Sequence, residues 1–232
     1  MLTTAADRYV AVSGAVADYY MGCGLGRRLR VIPNGVYWNG ATPRKPLEGR
    51  VPVVRACGRI VANKGFSVLI RAAAILRDRK TVVKIEIIGD GPGKPGLEAE
   101  IGALGLEQHV ALLGEREDAR SLIADADVFV LSSLTEGLPL VVLEAMFAGR
   151  PIVASDLPGL RGVIVDGESA FVVQPGSAEM LAKALGAVLS SPESARALGR
   201  VARARAKEDF SIERAASSYL ELYKEVLERR AG

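Results

Sequence analysis

A doubly wound α/β fold, a parallel sheet with helices packed on both faces, is the class this sequence predicts, on three observations. Short apolar runs and longer stretches of helical period alternate along most of the chain after residue 52. The run at 127–131, where Asp127 is followed by Val-Phe-Val-Leu, reads as a strand buried on both faces, as parallel sheets require. With 232 residues, 49% of them hydrophobic, and mixed charge, the chain has material for a substantial core and does not read as disordered.

In chain order, residues 9–13 read as a short strand and the stretch to about residue 22 as a helix. Pro33, Asn34, Gly35, Gly40, Pro43, Pro46, Gly49 and Pro52 are turn-formers, so 33–52 reads as a linker. Strands are expected at 53–57, 82–88, 110–113, 127–131, 151–154 and 171–173. Helices are expected at 67–79, 97–104, 118–124 and from 139, where Pro139 suits a first turn. Helical stretches at 178–190, 193–207 and 212–229 close the chain. In the last, Ile212, Ala215, Ala216, Tyr219, Leu222, Tyr223 and Val226 form an apolar stripe. The strand and helix before the linker stand apart, as the tail of something larger would.

Composition removes several function classes. The formal charge is +3 and the basic residues do not cluster with aromatics, which disfavours nucleic acid as a partner. Cys23 and Cys57 form no metal-spaced pair, so a reduced, cytosolic setting is the simplest expectation, with peripheral contact at the inner membrane face left open. Residues 1–12 contain Asp7 and Arg8 and no long apolar core, unlike a secretory leader. The greasy stretch 127–149 is interrupted by Glu136 and Glu144 and makes a poor membrane span. His109 is the only histidine and precedes a strand, which leaves no basis for a Ser-His-Asp triad or a His-based metal site. Asp125 and Asp127 form a D-x-D pattern, but at the start of a strand, opposite the edge where such sheets bind ligands; it reads as structural.

Three segments fall at the expected ligand edge, beyond the carboxyl ends of strands. In Glu136-Gly-Leu-Pro-Leu-Val-Val-Leu-Glu144 two carboxylates bracket a strand-to-helix junction that packing alone would keep free of charge. Carboxylates there can accept hydrogen bonds from sugar hydroxyls, while a helix N-terminus offers N–H groups to phosphate. In GRIVANKGF, after the strand at 53–57, Arg59 and Lys64 are spaced to face one anion, and two such cations can offset a diphosphate without a metal. In GDGPGKPG, Gly91, Gly93 and Gly96 satisfy G-x-G-x-x-G, with Glu115 following another strand. Pro92 and Pro95 remove N–H donors a pyrophosphate would want, so a turn for close backbone approach to a ligand is the preferred role.

Taken together these segments resemble the nucleotide-sugar-binding half of retaining family 4 glycosyltransferases of the GT-B fold. The pieces stand in that family's order: IPNGV at 32–36, GRIVANKG at 58–65, IIGDGP at 87–92, VALLGE at 110–115, LSSLTEGLPLVVLEAMFAGRPIVASDLPG at 131–159, DGESAFVV at 166–173 and FSIERAASSYLELYKEVL at 210–227. The resemblance implies a Rossmann-like donor domain at 53–209 and a cross-over helix at 210–232 bracing the first domain. Of that acceptor-binding domain only a remnant, 1–32, is then expected here. It also implies roles. Arg59 and Lys64 bind the donor diphosphate, Glu136 contacts the transferred sugar, and Glu144 takes the ribose hydroxyls. The N–H groups of Gly137 and Leu138 lie near sugar and phosphate. Gly91 lies at the ligand turn, and Gly114 and Glu115 near the base.

The implied reaction moves a hexose from a UDP- or GDP-sugar to a sugar or lipid-linked acceptor, with retention and with neither a cofactor nor an obligatory metal. The missing domain, or a partner chain, completes the enzyme. Two departures stand out: Tyr37-Trp38 follows PNGV where the family often has Asp, and Arg161-Gly162 stands where Glu is common. A non-catalytic nucleotide-sugar-binding partner subunit and an NAD(P)-binding oxidoreductase are the alternatives.

Overall fold

The computed structural model describes residues 6–39 and 50–231. Two short parallel strands, β1 (Tyr9–Ala11) and β2 (Leu29–Val31), form a small sheet of their own. Between them run helix α1 (Gly14–Tyr20) and the irregular turns of 21–28. β1 is shorter than expected because Ser13 leaves the strand to cap α1, its hydroxyl accepting from the Val16 N–H at 3.4 Å. β2 was not foreseen: three residues with Val31 exposed carry no readable period.

The main sheet has six parallel strands: β3 (Val53–Cys57), β4 (Lys84–Ile88), β5 (Val110–Leu112), β6 (Val128–Leu131), β7 (Ile152–Ser155) and β8 (Phe171–Val173). Their order is β5-β4-β3-β6-β7-β8, so the chain grows outward from β3 on one side and then returns to grow outward on the other. The doubly wound expectation is met. The reversal between β3 and β6 creates the crevice at which such sheets bind ligands.

Helices α2 (Phe66–Asp78), α3 (Lys94–Ala103), α4 (Ala119–Ala124), α5 (Leu140–Phe147), α6 (Ala178–Ser190), α7 (Pro192–Asp209) and α8 (Ile212–Ala231) complete the fold. Val128 and Val130 of β6 face one core with α2, α3 and α6, while Phe129 and Leu131 face the other with α5 and α7. A strand covered on both faces must be apolar throughout, which is why 128–131 lacks alternation. α3 starts at Lys94 rather than 97, with Pro95 in its first turn, where a missing N–H costs little.

Charge inside this scaffold is paired. Arg55 and Glu86 are register partners on β3 and β4, joined at 2.8 Å. Burial pushes the Glu86 carboxyl up, but hydrogen bonds from Arg55 and Lys84 outweigh it and hold it below its ordinary value. At the amino end of β6, Asp127 accepts from Arg50 through both oxygens, at 2.6 and 2.8 Å, and from the Val53 N–H at 2.8 Å. Asp125 meets Arg55 at 3.3 Å. The D-x-D pair is thus tied into the scaffold, away from the ligand edge.

Within the proposed linker, residues 40–49 lie outside the described residues, as do 1–5 of the leading segment. The described part is well anchored. Val36 N–H donates to Phe210 O at 2.8 Å and Trp38 stacks on Phe147 with centroids 6.1 Å apart. A Cβ at Gly35 would lie 2.6 Å from Ser211 O, so only glycine fits there. α8 contacts the β1–β2 unit through Glu225, which accepts from Arg8 at 3.0 Å and Arg30 at 3.1 Å. Of its apolar stripe, Leu222 is buried whereas Ile212 and Tyr223 are exposed. Among the described residues no helix is long and apolar enough to cross a membrane.

Candidate active site

The loops that leave β3 and β6 meet at the switch point, and their packing explains the local sequence. After β3 a short turn, Ala62–Lys64, ends at Gly65 with φ +63°. A Cβ at Gly65 would stand 2.1 Å from Ser132 O, so glycine alone allows this loop to rest on the end of β6. Ser132 Oγ donates to Lys64 O at 3.0 Å and Leu134 N–H to Asn63 O at 2.7 Å, which locks the two loops together. Lys64 is thereby delivered to Glu136, its Nζ 2.5 Å from Oε1, and Ser133 Oγ donates to the same oxygen at 3.0 Å.

Two sets of donors on these loops are without a partner among the described residues. Arg59 is exposed and makes no ion pair among the described residues. The N–H groups of Gly137 and Leu138 donate no hydrogen bond among the described residues. The Leu138 side chain is in the core, so only its backbone is available to a ligand. The loop packs closely against its neighbours. A Cβ at Gly159 would fall 1.8 Å from Gly137 O, and one at Gly137 would lie 3.4 Å from Val16 of α1.

Glu144 lies on the second turn of α5, as its position in the sequence implied, with its carboxylate 11% exposed. It accepts from Arg120 Nε at 2.7 Å. The Cys57 thiol, at the end of β3, is pushed up to about 11 by burial and by the Glu144 charge, with Lys64 acting the other way.

A cavity of about 480 Å³ opens beside Cys57, lined also by Arg59, Asp90, Glu115, Arg116 and neighbouring residues. Gly114, at φ +70°, has open space where a Cβ would be and turns the chain into Glu115 at that cavity. A Cβ at Gly91 would meet Ile60 O at 2.5 Å, so this turn packs closely on the chain after β3. The glycine pattern also follows β4, not the central β3 whose turn faces the crevice, which weakens a dinucleotide reading. Arg161 and Gly162 stand at the edge of the site, with Arg161 exposed and 4.0 Å from Asp156.

Sequence reasoning brought Lys64, Glu136, Arg59 and Glu144 to one edge but missed Ser132, Ser133 and Arg120. Ser133 carried a signal, a hydroxyl at a strand end three residues before a carboxylate. Arg120 carried none, because its partner is distant in sequence and on another helix.

The sequence model of the family described as Glycosyl transferases group 1 matches residues 42–205. The chain belongs to this family. Among curated group 1 relatives it is 36% identical over 177 residues to the alpha-D-kanosaminyltransferase of Streptomyces kanamyceticus, covering 75% of this chain and 46% of that one. It is 32% identical over 220 residues to the lipopolysaccharide core biosynthesis glycosyltransferase LpsE of Rhizobium meliloti, covering 93% and 64%. The chain thus spans roughly half to two thirds of the length of these relatives.

Among solved structures, HepE of Anabaena in complex with UDP-glucose superposes with a TM-score of 0.87 at 25% identity, over 95% of this chain and 64% of that one. Sucrose-phosphate synthase of Thermosynechococcus elongatus gives 0.85 at 25% identity, over 97% and 59%. The sheet and its helices are those of GT-B glycosyltransferases.

Proposed function

We propose that this chain is the donor-binding half of a retaining, metal-independent group 1 glycosyltransferase, acting on a UDP- or GDP-linked hexose. The observation that carries the reading is the uneven pairing at the β3–β6 crevice. Lys64 and Glu136 are held together, while Arg59 and the Gly137 and Leu138 N–H groups point to a missing anionic partner. In this reading Arg59 and Lys64 take the diphosphate. As the glycosidic C–O bond to the donor phosphate breaks, they stabilise the charge that develops on the departing nucleoside diphosphate, which is what fixed cations in a partly dry site do well. Glu136, relieved of Lys64, accepts hydrogen bonds from the sugar. Glu144 takes the ribose, and the cavity lined by Glu115 the base. Two fixed cations suffice for a diphosphate, which supports metal independence. Retention rests on the E-x7-E resemblance.

The acceptor is a sugar or a lipid-linked molecule. Its binding groups come from a domain beyond these elements or from a partner chain, a view supported by the fraction of each relative that this chain spans. UDP-glucose in HepE supports UDP as the first nucleotide to try. Calorimetric titration with UDP, GDP, ADP and NAD, with and without magnesium, tests the reading. Saturable, magnesium-independent binding of UDP or GDP that is lost in Lys64→Ala is the expected result. Binding of NAD alone, or of nucleotide with no dependence on Lys64, would sink it.

A further inference from the structure

Arg120 approaches Glu144 in a way that invites a role of its own. Glu144 sits in an apolar wall, flanked on α5 by the buried Leu143, Ala145, Met146 and Phe147. A carboxylate in such a place is costly without a partner, and an unpaired one would rotate toward water. Arg120, from the first turn of α4, supplies the partner through a single contact, Nε to Oε1 at 2.7 Å. It does not use the two-pronged fork that Arg commonly offers a carboxylate. Oε2 accepts no hydrogen bond among the described residues, and Oε1 keeps a second lone pair.

The guanidinium is itself steadied on its other side. Its Nη1 lies 3.5 Å from the Tyr37 carbonyl, and the Tyr37 segment is pinned by Val36 to Phe210 and by Trp38 on Phe147. A carboxylate fixed in rotation by one oxygen, with acceptor capacity left on both, suits the two adjacent hydroxyls of a ribose.

We propose that Arg120 is a positioning residue for ribose recognition: it orients Glu144 so that its remaining acceptor sites face the 2′- and 3′-hydroxyls of the donor nucleotide. The inference rests on the reading of Glu144 as the ribose acceptor given above. It assigns selection for ribose over deoxyribose to a contact between α4 and α5 that also ties in the chain after Val36. Cys57, a titratable group on β3, is pushed up by burial and the Glu144 charge, with Lys64 acting the other way. Lys64, which also acts on Cys57, is engaged by Glu136.

The test compares UDP with 2′-deoxy-UDP by calorimetry on the whole chain, for the unaltered protein, Arg120→Gln, Arg120→Lys and Glu144→Gln. The unaltered protein should prefer UDP, and Glu144→Gln should abolish that preference. Arg120→Gln should weaken UDP about tenfold while leaving 2′-deoxy-UDP nearly unchanged, in keeping with loss of a charge-assisted hydrogen bond to one hydroxyl. Arg120→Lys, which keeps the charge but not the planar Nε–H, should restore stability without restoring the preference. If Arg120→Gln and Arg120→Lys weaken both ligands equally, or keep the preference intact while Glu144→Gln loses it, Arg120 is only structural and the proposal falls alone. If Glu144→Gln keeps the preference, or UDP does not bind at all, the ribose reading of Glu144 falls and takes this inference with it.

Discussion

The two ends of the main sheet handle charge in opposite ways. At the amino end of β6, Asp127 has three hydrogen bonds and both oxygens engaged, and Arg150 donates to the carbonyls of Ala126 and Ala148. At the carboxyl end, Lys64 and Glu136 share one contact, Glu144 uses one oxygen, and Arg59 has no ion pair among the described residues. The charged groups at the amino end of β6 are satisfied within the chain, because leaving such buried bonds unmade costs stability. In the proposed reading, the groups at the carboxyl end are under-satisfied because their partner is a ligand. The contrast supports that reading because the two edges share the same strands and the same helix layers.

Three perturbations, ordered by expected size, would break or sharpen this contrast. Asp127→Ala strands Arg50 and the Val53 N–H, and should cost about 3 kcal/mol in unfolding free energy measured by denaturant titration, with UDP affinity held within about twofold. An equal loss of affinity would mean that the amino edge is not mere scaffold. At the other edge, Arg59→Ala should leave stability within about 0.5 kcal/mol, since that exposed side chain makes no ion pair among the described residues. Its nucleotide affinity should fall by about 1.5–3 kcal/mol, the range for a charged hydrogen bond. Unchanged affinity there would remove the phosphate role.

The smallest effect is a pH signature from Cys57. Its thiol is raised from 9.0 to about 11 in the folded chain, so between these values the unfolded state has lost a proton that the folded state keeps. Stability from this group is whole below pH 9 and is lost as pH rises through 11, by at most about 2.7 kcal/mol. Thermal melts at pH 8 and pH 11 should therefore differ less in Cys57→Ala than in the unaltered protein, and an identical difference would show that the thiol is not buried against Glu144.

Legibility followed the physics of each feature. β6 and α5 could be read because a strand covered on both faces must be apolar, so carboxylates at 136 and 144 stood out against their surroundings. β2 could not, since three residues with an exposed Val31 make no pattern. Gly91 was legible as a tight approach, but its packing against Ile60 was not, because Ile60 lies far along the chain. The same limit applied to Gly65, whose neighbour Ser132 is far along the chain.

Local order and composition by themselves determined the alternation of strands and helices, the parallel sheet, the ligand edge and the identity of its charged residues. These depend on periodicity, turn chemistry and burial, which act over a few residues. Tertiary structure alone decided that Lys64 closes on Glu136, that Arg120 holds Glu144, and that the chain after Val36 is fastened to Phe210. Those contacts join residues 24 to 174 positions apart, and no local pattern records which distant partner a side chain will meet when the sheet reverses direction between β3 and β6.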